Sequence, residues 1–160
     1  MNIIVPIKQV PDLVEELEID AAGPGISDIT NRMLRACYDD RFTVQLVTAT
    51  DTQKGGTQEV LDLEVLDGEA AVVSARRSMD DLSGGESVLV AEALGLAIAI
   101  YNAQRSGIPI RDLWRDECSG ALDHATAVRY IAMLRRAIEL GGFSRVYFVA
   151  HQEHLWPLAD

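Results

Sequence analysis

Lysine is nearly absent from this 160-residue chain: only Lys8 and Lys54 occur. Neither stands in a G-x-x-x-x-G-K-[ST] run, so the loop that cradles the α- and β-phosphates of a nucleotide is not written in it. Cysteine is scarce too. Cys37 and Cys118 have no C-x-x-C spacing, which excludes a zinc site or a disulfide framework and suits a reduced cytoplasm. Lys plus Arg numbers 14 against 25 Asp plus Glu, a net charge of −11, so the chain by itself is ill suited to gripping DNA phosphates. A larger assembly could still touch DNA. No heptad arm, internal repeat or low-complexity stretch is present. The most apolar run, Val88 to Tyr101, is too short to span a bilayer and carries Glu92, so it reads as a buried helix and not a membrane anchor. Pro6 and Lys8 interrupt the apolar start, which speaks against a signal peptide.

What is present reads as one compact domain with an apolar share of 48 %, enough for a real core. Residues 2–10 are β-branched, with Pro6 marking an edge strand. Ala21 to Gly25 reads as a small-residue linker, and the boundary is expected near residue 24, dividing 1–24 from 25–160. Ser27 or Asp28 can cap a helix to about Tyr38, with Ile29, Met33 and Cys37 on one face. Phe42, Val44 and Leu46, then Leu61, Leu63 and Val65, alternate as two strands around Lys54-Gly55-Gly56, a hairpin. Gly68 to Asp80 reads as a surface loop. A long helix over 84–104, a strand over Ile108–Trp114, a helix capped by Asp123 and ended by Gly141-Gly142, a buried strand over Arg145–Ala150 and a short terminal helix follow. A helix between two strands implies a right-handed crossover and a parallel pair. Ligands of such sheets sit beyond the carboxyl ends of the strands. The expected fold class is therefore α/β, a partly parallel sheet flanked by helices plus an antiparallel hairpin.

Four short segments carry chemistry. In Leu82-Ser83-Gly84-Gly85-Glu86, Ser83 and Glu86 form a capping box, while the two glycines leave N–H groups uncovered at the positive end of a helix, where a phosphate can approach. Asp116-Glu117 is an acidic pair just past a strand, either a solvated loop or a metal- and water-handling pair. Asp123, within Ser119-Gly120-Ala121-Leu122-Asp123, is a helix cap in its own right. His151 follows the apolar strand VYFVA. His124 and His154 lack such a context and are given no role.

In this order the four segments resemble the signature motif, Walker B, D-loop and switch histidine of ABC ATPases. Arg115 departs from the pattern, because an apolar residue usually precedes the acidic pair, and this puts the local packing in question. Asn31-Arg32-Met33-Leu34, Asp40 to Val44, the hairpin, the loop at Gly68-Glu69, LSGGE and GGFSRVYFVAHQ extend the likeness over about residues 27–160 to the SbcC-type, SMC-like ATPases of double-strand-break repair. The resemblance implies the C-terminal half of a P-loop NTPase (ABC ATPase) head that uses ATP and Mg²⁺. Asp116 would handle the metal, Glu117 the attacking water, His151 the γ-phosphate, and Ser83, Gly84, Gly85 and Glu86 the nucleotide of a second head, with Asp123 in the coupling loop. It implies as partners an N-terminal Walker A lobe or second head, and a nuclease and DNA in the full assembly, in the cytoplasm. Without Walker A, the chain alone is expected to hydrolyse little or no ATP, as a fragment or hybrid frame would.

Residues 1–20 resemble instead the opening of an electron transfer flavoprotein β-subunit, where a strand leads into KQVPD. This leaves two other readings open: an electron carrier of that kind, or a non-catalytic half-domain that binds a partner.

Overall fold

The computed structural model describes residues 19–51, 57–68, 76–77, 79–116 and 122–158. Helix α1 spans Ile19–Tyr38 and leads into the antiparallel pair β1 (Phe42–Asp51) and β2 (Thr57–Asp67). Strand β3 (Arg76–Arg77) adds a two-residue rung to β2, and a 3₁₀ turn at Met79–Asp81 precedes helix α2 (Gly84–Ser106). Strand β4 (Asp112–Asp116), helix α3 (His124–Gly141) and strand β5 (Arg145–Val149) follow, then a second 3₁₀ turn at Glu153–Leu158.

The core lies where α1, α2 and α3 meet, with the hairpin closing one side of α1. Ile29, Met33 and Leu34 of α1, Leu89, Val90, Ala93, Leu96 and Ile100 of α2, and Ala127, Tyr130, Met133 and Leu134 of α3 are buried there. Spacings of three and four residues place them on single faces, as amphipathic packing requires. Helix α2 is long and apolar enough to cross a membrane by length and composition, longer than its central apolar run suggests. Its buried positions face α1 and α3, so it serves as the central core helix.

Two expected boundaries shift. Helix α1 starts at Ile19, so neither Ser27 nor Asp28 caps it, and the stretch with Pro24 read as a linker lies within it. Packing overrides the weak local propensity. A Cβ on Gly25 would stand 2.8 Å from the Tyr101 ring, so only glycine allows α1 to approach α2 this closely. Ser27 instead accepts a hydrogen bond from the Leu46 N–H at 3.2 Å. Asn31 exchanges a pair with Val44, accepting from its N–H at 2.7 Å and donating to its carbonyl at 3.0 Å. These side chains satisfy backbone groups on the open edge of β1. The expected strand over 2–10 and the hairpin turn at Lys54-Gly55-Gly56 lie outside the described residues.

Strand β4 begins at Asp112, four residues later than Ile108; Ile108 and Ile110 precede it and are exposed. It pairs in parallel with β5, Asp112 opposite Arg145 and Asp116 opposite Val149. The expected buried strand at Arg145–Ala150 is only partly buried. Leu113, Val146 and Phe148 pack on the core, while Trp114 and Tyr147 stack on one another at 4.1 Å with Trp114 69 % exposed. A parallel pair is normally covered on both faces; within the described residues this one is covered on one. The α/β class, with a parallel pair, flanking helices and an antiparallel hairpin, stands as expected.

Candidate nucleotide-facing site

The carboxyl ends of β4 and β5 point the same way. Asp116 closes β4 opposite Val149, and His151 sits in the bend two residues beyond Val149; both side chains are exposed. Glu117, the remaining member of the acidic pair, lies outside the described residues, as do Ser119, Gly120 and Ala121 of the D-loop-like segment.

Asp123 caps α3: its carboxylate accepts the Thr126 N–H at 3.0 Å and the Thr126 hydroxyl at 2.8 Å. Those bonds, the backbone N–H first, hold its carboxyl below the usual range. The segment after β5 returns to this corner. The Gln152 amide donates to the Leu122 carbonyl at 3.1 Å, and the His124 and His154 rings lie 4.4 Å apart. The Trp156 indole N–H donates to the Ala150 carbonyl at 3.2 Å, which fixes an exposed ring beside His151.

Helix α2 presents its N-terminus to the same corner. A Cβ on Gly85 would stand 3.4 Å from Thr126, the residue that Asp123 holds, so the two helix starts lie side by side. A Cβ on Gly84 would meet nothing within 4 Å, which leaves the tip open to a ligand. Ser83 is the N-cap, and the capping box is complete. Glu86 accepts from the Ser83 N–H at 3.0 Å and from its hydroxyl at 2.7 Å, while Ser83 Oγ accepts the Glu86 N–H at 3.4 Å. Burial by itself would raise the Glu86 pKa; the bonds from Ser83 and the Arg41 charge outweigh it and hold the carboxyl low. Gly85 thus lies beside Thr126, Thr126 bonds Asp123, and Gln152, next to His151, bonds Leu122.

Sequence reasoning missed three members of this region. Arg115, a departure from the motif, turns inward from β4 and pairs with Glu92 of α2, with the Tyr130 hydroxyl 3.5 Å from Arg115 and 3.3 Å from Glu92. A charge inside the α2 apolar run and another inside a strand were the available signal. Thr126 offered no motif, and Arg41 fell within the Asp40 to Val44 likeness without a role. Arg41 binds Glu86 at 2.9 Å and Asp67 at 3.3 Å.

Two separate donor sets are present: Ser83 and the open Gly84 tip offer N–H and O–H donors, while Asp116 offers a carboxylate and His151 an imidazole beyond the strand ends. Among the described residues no three His, Cys, Asp or Glu side chains converge to hold a metal ion. A metal at Asp116 would need most of its oxygens from the nucleotide and another lobe.

The chain matches no protein-family model. Its sequence is similar to the SbcC component of the SbcCD nuclease of Lactococcus lactis subsp. lactis (strain IL1403), with 31 % identity over 96 residues, 59 % of this chain. The chain spans only 9 % of the length of that curated relative. Its fold is similar to a structure from work on ATP-driven dimerization and DNA-stimulated activation of SMC ATPases, with TM-score 0.63 and 17 % identity, covering 88 % of this chain and 75 % of that one. It is also similar to an SmcHead bound to the C-winged helix domain of ScpA, with TM-score 0.58 and 17 % identity, covering 88 % of this chain and 39 % of that one. An Smc head domain with an extended coiled coil, bound to the C-terminal domain of ScpA derived from Pyrococcus furiosus, aligns with TM-score 0.51 and 20 % identity, over 89 % of this chain and 31 % of that one. The chain thus has the fold of an SMC ATPase head, and its sequence resembles the C-terminal lobe of the SbcC type.

Proposed function

We propose that this chain is one half of an ATP-binding head of the SMC-like, SbcC type, which turns over ATP only when a Walker A-bearing lobe completes it. One observation carries the reading. Gly85 of the α2 tip lies beside Thr126, Thr126 bonds the Asp123 cap, and Gln152, next to His151, bonds Leu122, next to Asp123. A helix tip with an open glycine beside the carboxyl ends of parallel strands suits phosphate.

Bound Mg²⁺–ATP would supply the phosphoanhydride and the charge neutralisation. The chain's own residues have narrower tasks in this reading. Asp116 offers a carboxylate toward the metal, and His151 offers an imidazole toward the terminal phosphate. Glu117 orients the attacking water. Ser83, Gly84 and Gly85, with Glu86 behind them, present donors to a nucleotide held by a second head. Asp123 fixes the start of α3 and with it the loop between the two sites. The half-covered β4–β5 pair supports the need for another lobe, because parallel strands are rarely left with an open face. The acidic surface assigns DNA contact to the assembly, and a nuclease partner and a cytoplasmic setting follow from the resemblance to SbcC.

The test is an ATPase assay on the purified chain, alone and mixed with the separately produced N-terminal lobe of an SbcC-type protein. Turnover is expected only in the mixture, and Glu117→Gln should abolish it there. Robust turnover by the chain alone, lost in Glu117→Gln, would overturn the requirement for a second lobe. The electron-carrier reading rests on residues 1–20, almost wholly outside the described residues; a yellow preparation bearing FAD would favour it.

A further inference from the structure

The α2 tip is held by a charge relay that begins in the hairpin. Glu86 Oε2 accepts from the Ser83 N–H at 3.0 Å and from its hydroxyl at 2.7 Å. Glu86 Oε1 lies 2.9 Å from Nη1 of Arg41. Nε and Nη2 of the same guanidinium both meet the Asp67 carboxylate at 3.3 Å. Asp67 is only 3 % exposed, one of very few buried acids among the described residues. The guanidinium also rests 4.4 Å from the centre of the Phe42 ring, and the Gly68 N–H donates to the Arg41 carbonyl at 2.8 Å. Arg41 is therefore fixed along its length, with one face on β2 and the other on the helix tip.

The charges decide what this arrangement does. Two carboxylates meet one guanidinium, and Glu86 is the one that faces the partial positive end of α2. Glu86 stands where an incoming phosphate would arrive, since it occupies both Ser83 donors. A phosphate can take the Ser83 hydroxyl only if that proton turns away from Glu86 and if the carboxylate does not repel the ligand. Neutralisation by Arg41 at 2.9 Å meets the second condition. Its fixed fork keeps Glu86 from swinging across the tip, which a flexible point charge would not do.

We propose that Arg41 is a positioning residue for Ser83: acting through Glu86, it sets the direction of the Ser83 donors and cancels the charge that would otherwise repel phosphate from the α2 tip. The proposal deepens the nucleotide reading above and rests on it for the identity of the ligand.

The experiment uses the full chain, labelled with ¹⁵N, and follows the backbone amides of Ser83, Gly84 and Gly85 with and without sodium triphosphate. The variants are Arg41→Gln, Arg41→Lys, Glu86→Gln and the double Arg41→Gln/Glu86→Gln, and thermal melting is recorded for each. Arg41→Gln is expected to move the Ser83 and Gly85 amide signals and to weaken triphosphate binding about tenfold, the effect of one charge on a multivalent anion at low salt. Arg41→Lys should recover part of the affinity but not the amide positions. The double variant should return to within about twofold of the parent affinity, because a neutral amide in place of the Glu86 carboxylate needs no counter-charge. Loss of stability alone would not produce that rescue. Arg41→Gln signals and affinity unchanged from the parent, or a double variant no better than Arg41→Gln, would overturn the proposal. If Arg41→Gln fails to fold, Arg41→Lys decides it: Ser83 and Gly85 amide positions and triphosphate affinity equal to the parent's would overturn the proposal. If the parent chain ignores triphosphate while the amides respond as expected, positioning by Arg41 stands and the phosphate assignment of the tip falls.

Discussion

Replacing Arg115 by methionine breaks an ion pair that joins the parallel strands to the helical core. The cost follows from its surroundings. The side chains of Arg115 and Glu92 are 24 % and 19 % exposed, so Glu92 would keep its charge in a largely dry pocket beside Tyr130. Breaking a fully buried pair costs about 3–5 kcal/mol, whereas exposed pairs contribute about 0–1 kcal/mol. This pair lies between, and the Tyr130 hydroxyl at 3.3 Å continues to serve Glu92. We expect Arg115→Met to destabilise the chain by about 2 kcal/mol, a fall of roughly 6 °C in Tm for a domain of this size. Glu92→Leu combined with Arg115→Met removes both charges and keeps the volume, and should regain most of that loss. Urea unfolding of the two single variants and the double closes the cycle. An Arg115→Met cost below about 0.5 kcal/mol, or a double variant as unstable as the sum of the singles, would refute the view that a charged cluster fills here the place of an apolar residue.

Gly85→Ala should be nearly neutral, since its Cβ would stand 3.4 Å from Thr126, whereas Gly85→Val should cost about 2 kcal/mol by driving α2 from α3; urea unfolding separates the two. Asp123 titrates below its ordinary 3.8 because Thr126 bonds its ionised form. A depressed carboxyl contributes stability above its unfolded pKa and loses it as pH falls through the folded value. The Tm gap between the parent and Asp123→Ala should therefore be open at neutral pH and close as pH falls through the lowered folded-state value; a gap that persists in strong acid would contradict this. Burial pushes the Cys37 thiol up to about 12, so in a Cys118→Ser background it should react slowly with a thiol reagent at pH 8 and quickly once urea unfolds the chain.

The helices, the hairpin and the parallel pair were legible because each follows from local pattern. Ser83 and Asp123 announce their helices as caps, Gly142 ends α3 with φ of 66°, and Phe42, Val44 and Val65 alternate as a half-buried hairpin must. Local signals at Pro24 and Ser27 favour a break, but the Gly25–Tyr101 contact makes the segment helical through a partner distant in sequence. Ile108 and Ile110 look like strand residues, yet they precede β4 and remain exposed. At the candidate site, residues inside a motif were readable and their supports were not. Arg41 and Asp67 lie far in sequence from the tip they serve, and nothing in their spacing marks a network that closes only in three dimensions.

The division between what holds the fold and what would carry chemistry has a physical basis here. The three helices and the hairpin bury one continuous core around Met33, Leu89 and Tyr130. Asp116 and His151 instead hang from β4 and β5, which touch that core through Leu113, Val146 and Phe148 and leave Trp114 open. Only the α2 tip is anchored in the stable part, through Gly85 and the Arg41 network. The groups assigned to a second head's nucleotide are therefore fixed before any partner arrives, whereas those assigned to its own wait on a sheet with one face open. On the proposed reading, covering Trp114 and Tyr147 would supply the free energy that orders the strand ends, which ties turnover to association.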